Sequence, residues 1–330
     1  MRARVIRAPM KRRTLLLGAA ASLAAPAVHA EAWPKGQPIR IIVPFPAGAA
    51  NDAMGRLAAQ RLQDKLGAST VVENRAGGSA VIGTTLVLNA APDGYTLLAS
   101  AFNHIVLNHV VKGVTFDPQK DFEVIGRTAR APLLMVMSPD RPQATIADVV
   151  AAAKAKPDDW TFALAALGAP GHLATIDFMN RTGTTIATTP YRGTAPALTD
   201  VMGGHVQLLI DASFALLPPA QSGKVKTLGI TTKERSSLAP DIPTIAEQGF
   251  AGFDFQSWYG LWAPKGTPHD ICQRINDLMR ETMRDPEIVQ RLNKSLLEPV
   301  VETIDETKAF IAAEVPRHVA LLKAANFEAQ

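Results

Sequence analysis

The chain has 330 residues, 47% of them hydrophobic and 19% charged, with a formal charge of +4 and a pI near 9.2; at roughly 150 residues per domain, that is enough for two domains. Residues 1–30 hold six of the 34 basic residues and none of the 30 acidic ones, so the remainder carries 28 basic against 30 acidic residues and the basicity belongs to the first segment. No later basic patch is interleaved with aromatics, which leaves nucleic-acid binding without support, and the single cysteine, Cys272, excludes an intrachain disulfide or a multi-cysteine metal site.

The first segment has the three parts of an export signal: basic Lys11-Arg12-Arg13, the apolar run Leu15 to Ala25, and a small-residue end at Val28-His29-Ala30. The apolar run is too short for an anchor, so cleavage after Ala30 is expected. Arg12-Arg13 leaves the Sec and twin-arginine routes both open, and Met10 is an alternative start. No later segment reaches about 18 uninterrupted apolar residues, so the mature protein is expected to be soluble in the periplasm.

Ile39 to Val43, with Arg40 among β-branched residues, predicts a short buried strand. Pro44-Phe45-Pro46-Ala47-Gly48 then forces a turn. Ala50 to Leu66 follows as a helix with Met54, Leu57, Ala58, Leu62 and Leu66 on one face and Asn51 or Asp52 at its N-cap. Such a strand, small-residue loop and helix N-terminus can hold an anion through free backbone N–H groups, and it equally suits a plain connection.

The arrangement recurs. Thr70 to Asn74 is a second strand, followed by a loop through Ser79-Ala80 and an apolar helix to Leu88. Tyr95 to Ser100 is a third strand whose end carries Phe102, Asn103 and His104, a histidine equally suited to capping or to the surface. A helical turn is expected to begin at Asp117–Phe122, and a strand at Leu133–Met137. Thr145 caps a helix over 146–156, and Thr161–Leu164 is a strand. The loop Ala165 to His172, leading into a helix from Leu173, mirrors the first loop. Further strands are expected at 186–189, 206–211, 224–231 and 255–263, a helix at 195–202, and helices from Pro268 to the end. In open α/β sheets ligands collect outside the carboxyl ends of the strands.

Enzyme signatures are missing. There is no G-x-S-x-G, H-E-x-x-H, P-loop or G-x-G-x-x-G, and His104, His109, His172 and His205 lack metal-ligand spacing. Neither catalysis nor a cofactor or metal is therefore expected. Two halves that each present a strand, loop and helix N-terminus are suited to closing on a small anion.

A set of spaced motifs carries a family resemblance. They are Pro38 to Gly48 with Asp52, Val72-Glu73-Asn74-Arg75, Pro92-Asp93-Gly94-Tyr95, Asp117-Pro118 with Asp121-Phe122, and His172-Leu173-Ala174. The series continues with Pro190-Tyr191-Arg192-Gly193, Pro240-Asp241-Ile242-Pro243 with Glu247, and Trp258-Tyr259-Gly260-Leu261-Trp262. From about Trp33 onward the chain resembles the solute-binding receptors of tripartite tricarboxylate transporters, the Bug-type periplasmic proteins. The resemblance implies an α/β, two-domain periplasmic-binding fold of the second type with a ligand cleft between the domains. Domain 1 is expected over 31–131 plus 256–330 and domain 2 over 132–255. The expected activity is capture of a small organic carboxylate, by a monomer, for delivery to the membrane subunits of a transporter. A sensor subunit signalling to a membrane kinase and an exported hydrolase remain alternatives.

Carried over by position, Phe45, Ala47, Gly48, Ala49 and Asp52 form the first clamp, and Ala166, Gly168, Ala169 and His172 the second. Ser79, Ala80, Asn103 and His104 line the first-domain wall, and Asp211 faces the cleft from the second domain. Asp52 equally suits a helix cap, and Asp211 equally suits pairing with a buried base. The chain departs from the family pattern at Ala49 and at Ser79-Ala80, where glycines are usual, and at Leu164, Ala166-Leu167 and Ala169, where more polar residues are usual. These departures imply a ligand with a less polar body, an aromatic or medium-chain acid rather than a citrate-like polycarboxylate. Ala49 is also expected to be strained if its turn needs φ > 0.

Overall fold

The computed structural model describes residues 33–324 and 326–330; the export signal expected over 1–30 lies outside the described residues. The first half opens with β1 (Ile39–Val43), α1 (Ala50–Leu66), β2 (Thr70–Asn74), α2 (Val81–Leu88) and β3 (Thr96–Ala101). β1 pairs in parallel with β2 and β3, and its apolar residues are all buried, as expected of a strand covered on both faces. The helix α1 ends at Gly67, whose φ of 64° lets its N–H reach the carbonyls of Leu62 and Gln63.

The long strand β4 (Phe122–Met137) follows, then α3 (Ile146–Ala155), β5 (Thr161–Leu164), α4 (Pro170–Thr182), β6 (Ala187–Pro190), α5 (Thr194–Met202), β7 (Leu208–Ala212), α6 (Ser213–Gln221) and β8 (Lys226–Ile230). The chain returns through β9 (Gln256–Pro264), α7 (His269–Thr282), α8 (Pro286–Asn293), β10 (Glu298–Pro299) and α9 (Ile304–Ala324). The strands form one continuous sheet in the order β2-β1-β3-β9-β4-β7-β5-β6, with β8 and β10 also paired to β4.

β4 is the spine shared by both halves. Residues Phe122–Pro132 pair with β9, Leu133–Met137 pair with β7, and Leu134–Met137 pair with β8 as well. The chain crosses a second time at Phe255, and Thr231 fastens the two crossings together. Its hydroxyl accepts from the Leu133 N–H (3.0 Å) and donates to the Phe255 carbonyl (2.6 Å).

Several local expectations change. Asp117–Phe122 makes one turn, closed by the Asp117 N–H donating to Asp121 Oδ2 (2.7 Å), and runs directly into β4. The helix α4 starts at Pro170 rather than Leu173, because proline suits the first helical turn, where its missing N–H costs nothing. The cap of α3 is as expected, a reciprocal box between Thr145 and Asp148. Cys272 is buried in α7, where burial pushes its thiol up to about 11.

Candidate functional site

The carboxyl ends of β1, β3, β5 and β7 all open on one cleft between the halves. Phe45 and Pro46 follow β1, Ala101 ends β3, Ala165 follows β5, and Asp211-Ala212 ends β7. Ser257 and Tyr259 of β9 form the floor. Space for water-sized occupants is about 70 Å³, against the 10–15 Å³ or so that one water needs. The mouth is narrow: a Cβ built on Gly193 would sit 3.3 Å from Pro46 Cγ of the opposite half.

Four helices begin at this cleft. α1 contributes Ala49, Ala50 and Asn51, α4 contributes Ala169 and Pro170, α5 contributes Gly193 and Thr194, and α6 contributes Ala212, Phe214 and Ala215. None of the four has a side-chain cap, so their positive dipole ends face an anion there, with first-position N–H groups from α1, α5 and α6 but none from Pro170 at the start of α4. The sequence pointed to two of these. α5 was assigned as a helix but not to the site, and α6 was missed because Pro218-Pro219 lies inside it. Among the described residues lining the cleft there is no lysine, arginine or histidine.

The two mirror loops share one construction. Gly48 and Gly168 have φ of 86° and 71°, and Ala49 and Ala169 occupy the N-caps with ordinary extended backbone. In the first loop the Gly48 N–H donates to Asp52 Oδ2 (3.0 Å); in the second the Gly168 N–H donates to His172 Nδ1 (3.0 Å). Asp52 and His172 thus hold their loops in shape from behind instead of lining the cleft. Asp52 also accepts from Arg56 Nε (2.9 Å) and Asn74 Nδ2 (3.0 Å). Burial pushes its carboxyl up, but the bonds from Arg56, Gly48 and Asn74 outweigh this and hold it below the usual range. Its cap is of a different kind from the one expected: it reaches back from the third helical position to the residue before the N-cap. His172 is lowered to about 4 by burial, so it is neutral, with its ring against Phe327 at 5.0 Å.

Of the expected residues, the cleft gathers Phe45, Ala49, Asn103, Ala166, Ala169 and Asp211. Ala47 and Gly48 are exposed at the outer bend, and Gly168 is buried against Val110. Ser79 and Ala80 do not line the cleft either; they carry the strain expected at Ala49, with φ of 51° and 84°, whereas Ala49 has −82°. His104 is enclosed between Phe122 and Trp262, at 4.9 and 4.7 Å, and burial lowers it to about 3. It belongs to the core, not to the wall. Leu164 and Leu167, whose apolar surface was expected to face the ligand, line a separate cavity beneath α4 with His172 and Phe327. The apolar walls come instead from Phe45, Phe214, Tyr259 and the alanines.

Asp211 is 9% exposed, and among the described residues no base pairs with it. Its Oδ2 accepts from the Thr194 hydroxyl (2.6 Å) and its Oδ1 from the Ala212 N–H (2.8 Å), while burial raises its pKa. Opposite it, Asn51 Oδ1 and Asn103 Nδ2 are buried without a hydrogen-bond partner from the protein. Buried amide atoms left in this state are costly, which suits a wall built to meet a polar occupant. Asn51, Thr194, Ser257 and Tyr259 were not singled out in the sequence as site residues. Asn51 follows Ala49 by two and could have been found from the helix start; the others come from elements that only the fold brings here.

The chain matches the family model described as tripartite tricarboxylate transporter family receptor over residues 54–327. It is 36% identical over 307 residues to the protein BugT of Bordetella pertussis, covering 92% of this chain and 94% of that one. Among solved structures it superimposes on the periplasmic binding protein BugD with a TM-score of 0.84 at 32% identity, covering 90% of this chain and 100% of BugD. The Rpa4515 protein of R. palustris, determined with adipate, gives 0.87 at 31% identity, covering 90% and 100%. MatC of Rhodopseudomonas palustris, determined with bound malate, gives 0.80 at 25% identity, covering 86% and 98%.

Proposed function

The chain belongs to the tripartite tricarboxylate transporter receptor family of periplasmic solute-binding proteins, and on that premise we propose that it captures a small organic carboxylate with a largely apolar body and hands it to the membrane subunits of a transporter. The observation that carries this reading is the convergence of four uncapped helix N-termini on one cleft with no cationic side chain among the described residues that line it. Such a site holds an anion by backbone N–H groups, each charge-assisted bond contributing about 1.5–3 kcal/mol. Three or four of them contribute about 5–12 kcal/mol gross, much of it offset by closure and desolvation, so burial of the ligand's apolar body supplies the rest of an affinity suited to capture and release.

The two relatives determined with adipate and malate support a carboxylate ligand for this chain as well. The alanine-rich lining with Phe45 and Phe214 supports an aromatic or medium-chain acid. In this reading residues 31–131 with 256–330 form one closing body and 132–255 the other. They meet where β4 changes partners and where Thr231 holds Phe255. The leader is removed after Ala30 and the receptor acts as a monomer.

A calorimetric screen of purified mature protein tests the reading. Aromatic and aliphatic monoacids are expected to bind with micromolar affinity, with a smaller radius of gyration and altered fluorescence from Trp258, which adjoins Ser257 and Tyr259 of the cleft floor. Binding of citrate or malate without any monoacid would overturn the apolar preference. Saturating ligand that changes neither scattering nor fluorescence would overturn closure.

A further inference from the structure

The two walls of the cleft differ in what they offer a ligand. The first half supplies the α1 N-terminus, with N–H groups on Ala50 and Asn51, together with Asn103 Nδ2. In the second half, Pro170 occupies the first position of α4 and has no N–H, and the Thr194 hydroxyl is spent on Asp211. Asp211 itself lies directly beside the α4 start, where a Cβ on Gly171 would be 3.5 Å from the Asp211 Cα. The α5 and α6 starts also face this wall, but the Gly193 N–H is spent on the Ala165 carbonyl and the Ala212 N–H on Asp211, so the group that sets the second wall apart from the first is a carboxyl.

Asp211 is placed to accept. Two donors already point at it, from Thr194 and Ala212, and no cation faces it from the cleft. Each of its oxygens keeps a further lone pair for a third donor. An ammonium group would suit a buried carboxylate, but four positive helix ends surround the cleft and oppose a cation there. A neutral donor meets no such opposition. The bonds from Thr194 and Ala212 favour the ionised form of Asp211 against the burial that disfavours it, and in that form a second ligand carboxylate would face it as a like charge.

We propose that Asp211, positioned by Thr194, selects carboxylates that carry a hydroxyl group at the end of the body remote from the carboxylate. The carboxylate sits on the α1 N-terminus with Asn103, the apolar body crosses between Phe45 and Phe214, and the hydroxyl donates to Asp211. This rests on the carboxylate-receptor reading and adds to it a chemical class, the hydroxy monoacids, and a residue that discriminates against diacids.

The test uses two matched series on the mature protein by calorimetry: 4-hydroxybenzoate, benzoate and terephthalate, and 6-hydroxyhexanoate, hexanoate and adipate. In at least one series the hydroxy acid is expected to bind about tenfold or more tighter than its parent acid, the value of a hydrogen bond to a charged acceptor. The diacid is expected to bind more weakly than the hydroxy acid. In Asp211→Asn the ratio of hydroxy acid to parent falls to about one. Equal affinity for hydroxy acid and parent overturns the proposal while leaving the carboxylate receptor intact, and so does a diacid that binds tightest. Failure of every acid in both series removes the receptor reading as well. The wild-type comparison decides the matter even if Asp211→Asn does not fold.

Discussion

The two loops that face each other across the cleft have the same backbone and different fastenings. In the first, Gly48 turns freely, with nothing within 4 Å of a built Cβ, and its N–H is held by Asp52, a carboxylate braced by Arg56 and Asn74. In the second, Gly168 turns against Val110 of the opposite half, and its N–H is held by the neutral ring of His172. The first loop is secured by charge within its own half. The second is secured by burial and by contact with the other half, so its shape is tied to how the halves meet.

That difference is most strongly tested at the glycines. Gly168→Ala adds left-handed strain and brings a Cβ to 2.6 Å from Val110 Cγ2; it is expected to cost about 3 kcal/mol or more in urea unfolding. Gly48→Ala meets only the strain, about 1–2 kcal/mol. Equal costs would remove the claim that the second loop depends on close approach.

The fastening residues come next. Asp52→Ala removes the acceptor for three donors and is expected to cost about 3 kcal/mol. His172→Phe keeps an aromatic ring against Phe327 but leaves the Gly168 N–H unpaired, at about 1.5 kcal/mol. A costlier His172→Phe would reverse the ranking of the two loops.

Acid separates the loops without mutation. His172 is depressed to about 4 from an ordinary 6.5, so below pH 6.5 the unfolded chain takes up a proton that the folded one refuses. Stability is then lost as pH falls from about 6.5 toward 4, by up to about 1.4 kcal/mol per pH unit for this group. His104, lowered to about 3, acts in the same direction. Asp52 is held below the carboxylate range, so its contribution is full above the ordinary carboxylate value of 3.8 and is lost only as pH falls below that toward its own lower value. After correction for intrinsic rates, hydrogen exchange at the Gly168 amide is expected to accelerate between pH 7 and 5 more than at Gly48. The reverse order would contradict the assignment of the two acceptors.

The smallest effect concerns the departures from the family's glycines. Ser79→Gly relieves a φ of 51° and is expected to stabilise by about 1 kcal/mol. Ala49→Gly relieves nothing, since Ala49 is extended, and is expected to destabilise by about 0.5 kcal/mol through added freedom in the unfolded chain. Thermal melts of the two variants should therefore shift in opposite directions.

Much of the fold could be read locally. The buried run of β1, the one-sided helix α1 and the Thr145 cap are short-range patterns, and each forms where its residues indicate. The length of β4 was hidden because Glu123, Arg127, Arg130 and Pro132 interrupt its pattern. Pro132 ends the β9 pairing just before Leu133 begins pairing with β7, so a residue that argues against a strand sits at its change of partners. In the site, the start of α1 after Gly48 was legible from small residues before apolar periodicity, whereas α4 begins three residues ahead of the Leu173 that periodicity indicates. His104 was not: a histidine after a strand has the same local signature whether it faces solvent, a ligand or, as here, two aromatic rings.

The sequence by itself determined the alternating α/β plan and the two mirrored loops with helix ends suited to an anion, because these follow from periodicity, turn residues and free N–H groups within about ten residues. Only the tertiary structure decided that Asp52 and His172 stand behind the loops and that α5 and α6 add two more helix ends. It also decided that Asn51 and Asn103 face Asp211 across one cleft. Asp52 and His172 lie only four residues from the glycines they hold, but which way each faces is set by packing. Asp211 lies more than a hundred residues from Asn51 and Asn103, so no local pattern encodes which polar group is left without a partner when they meet.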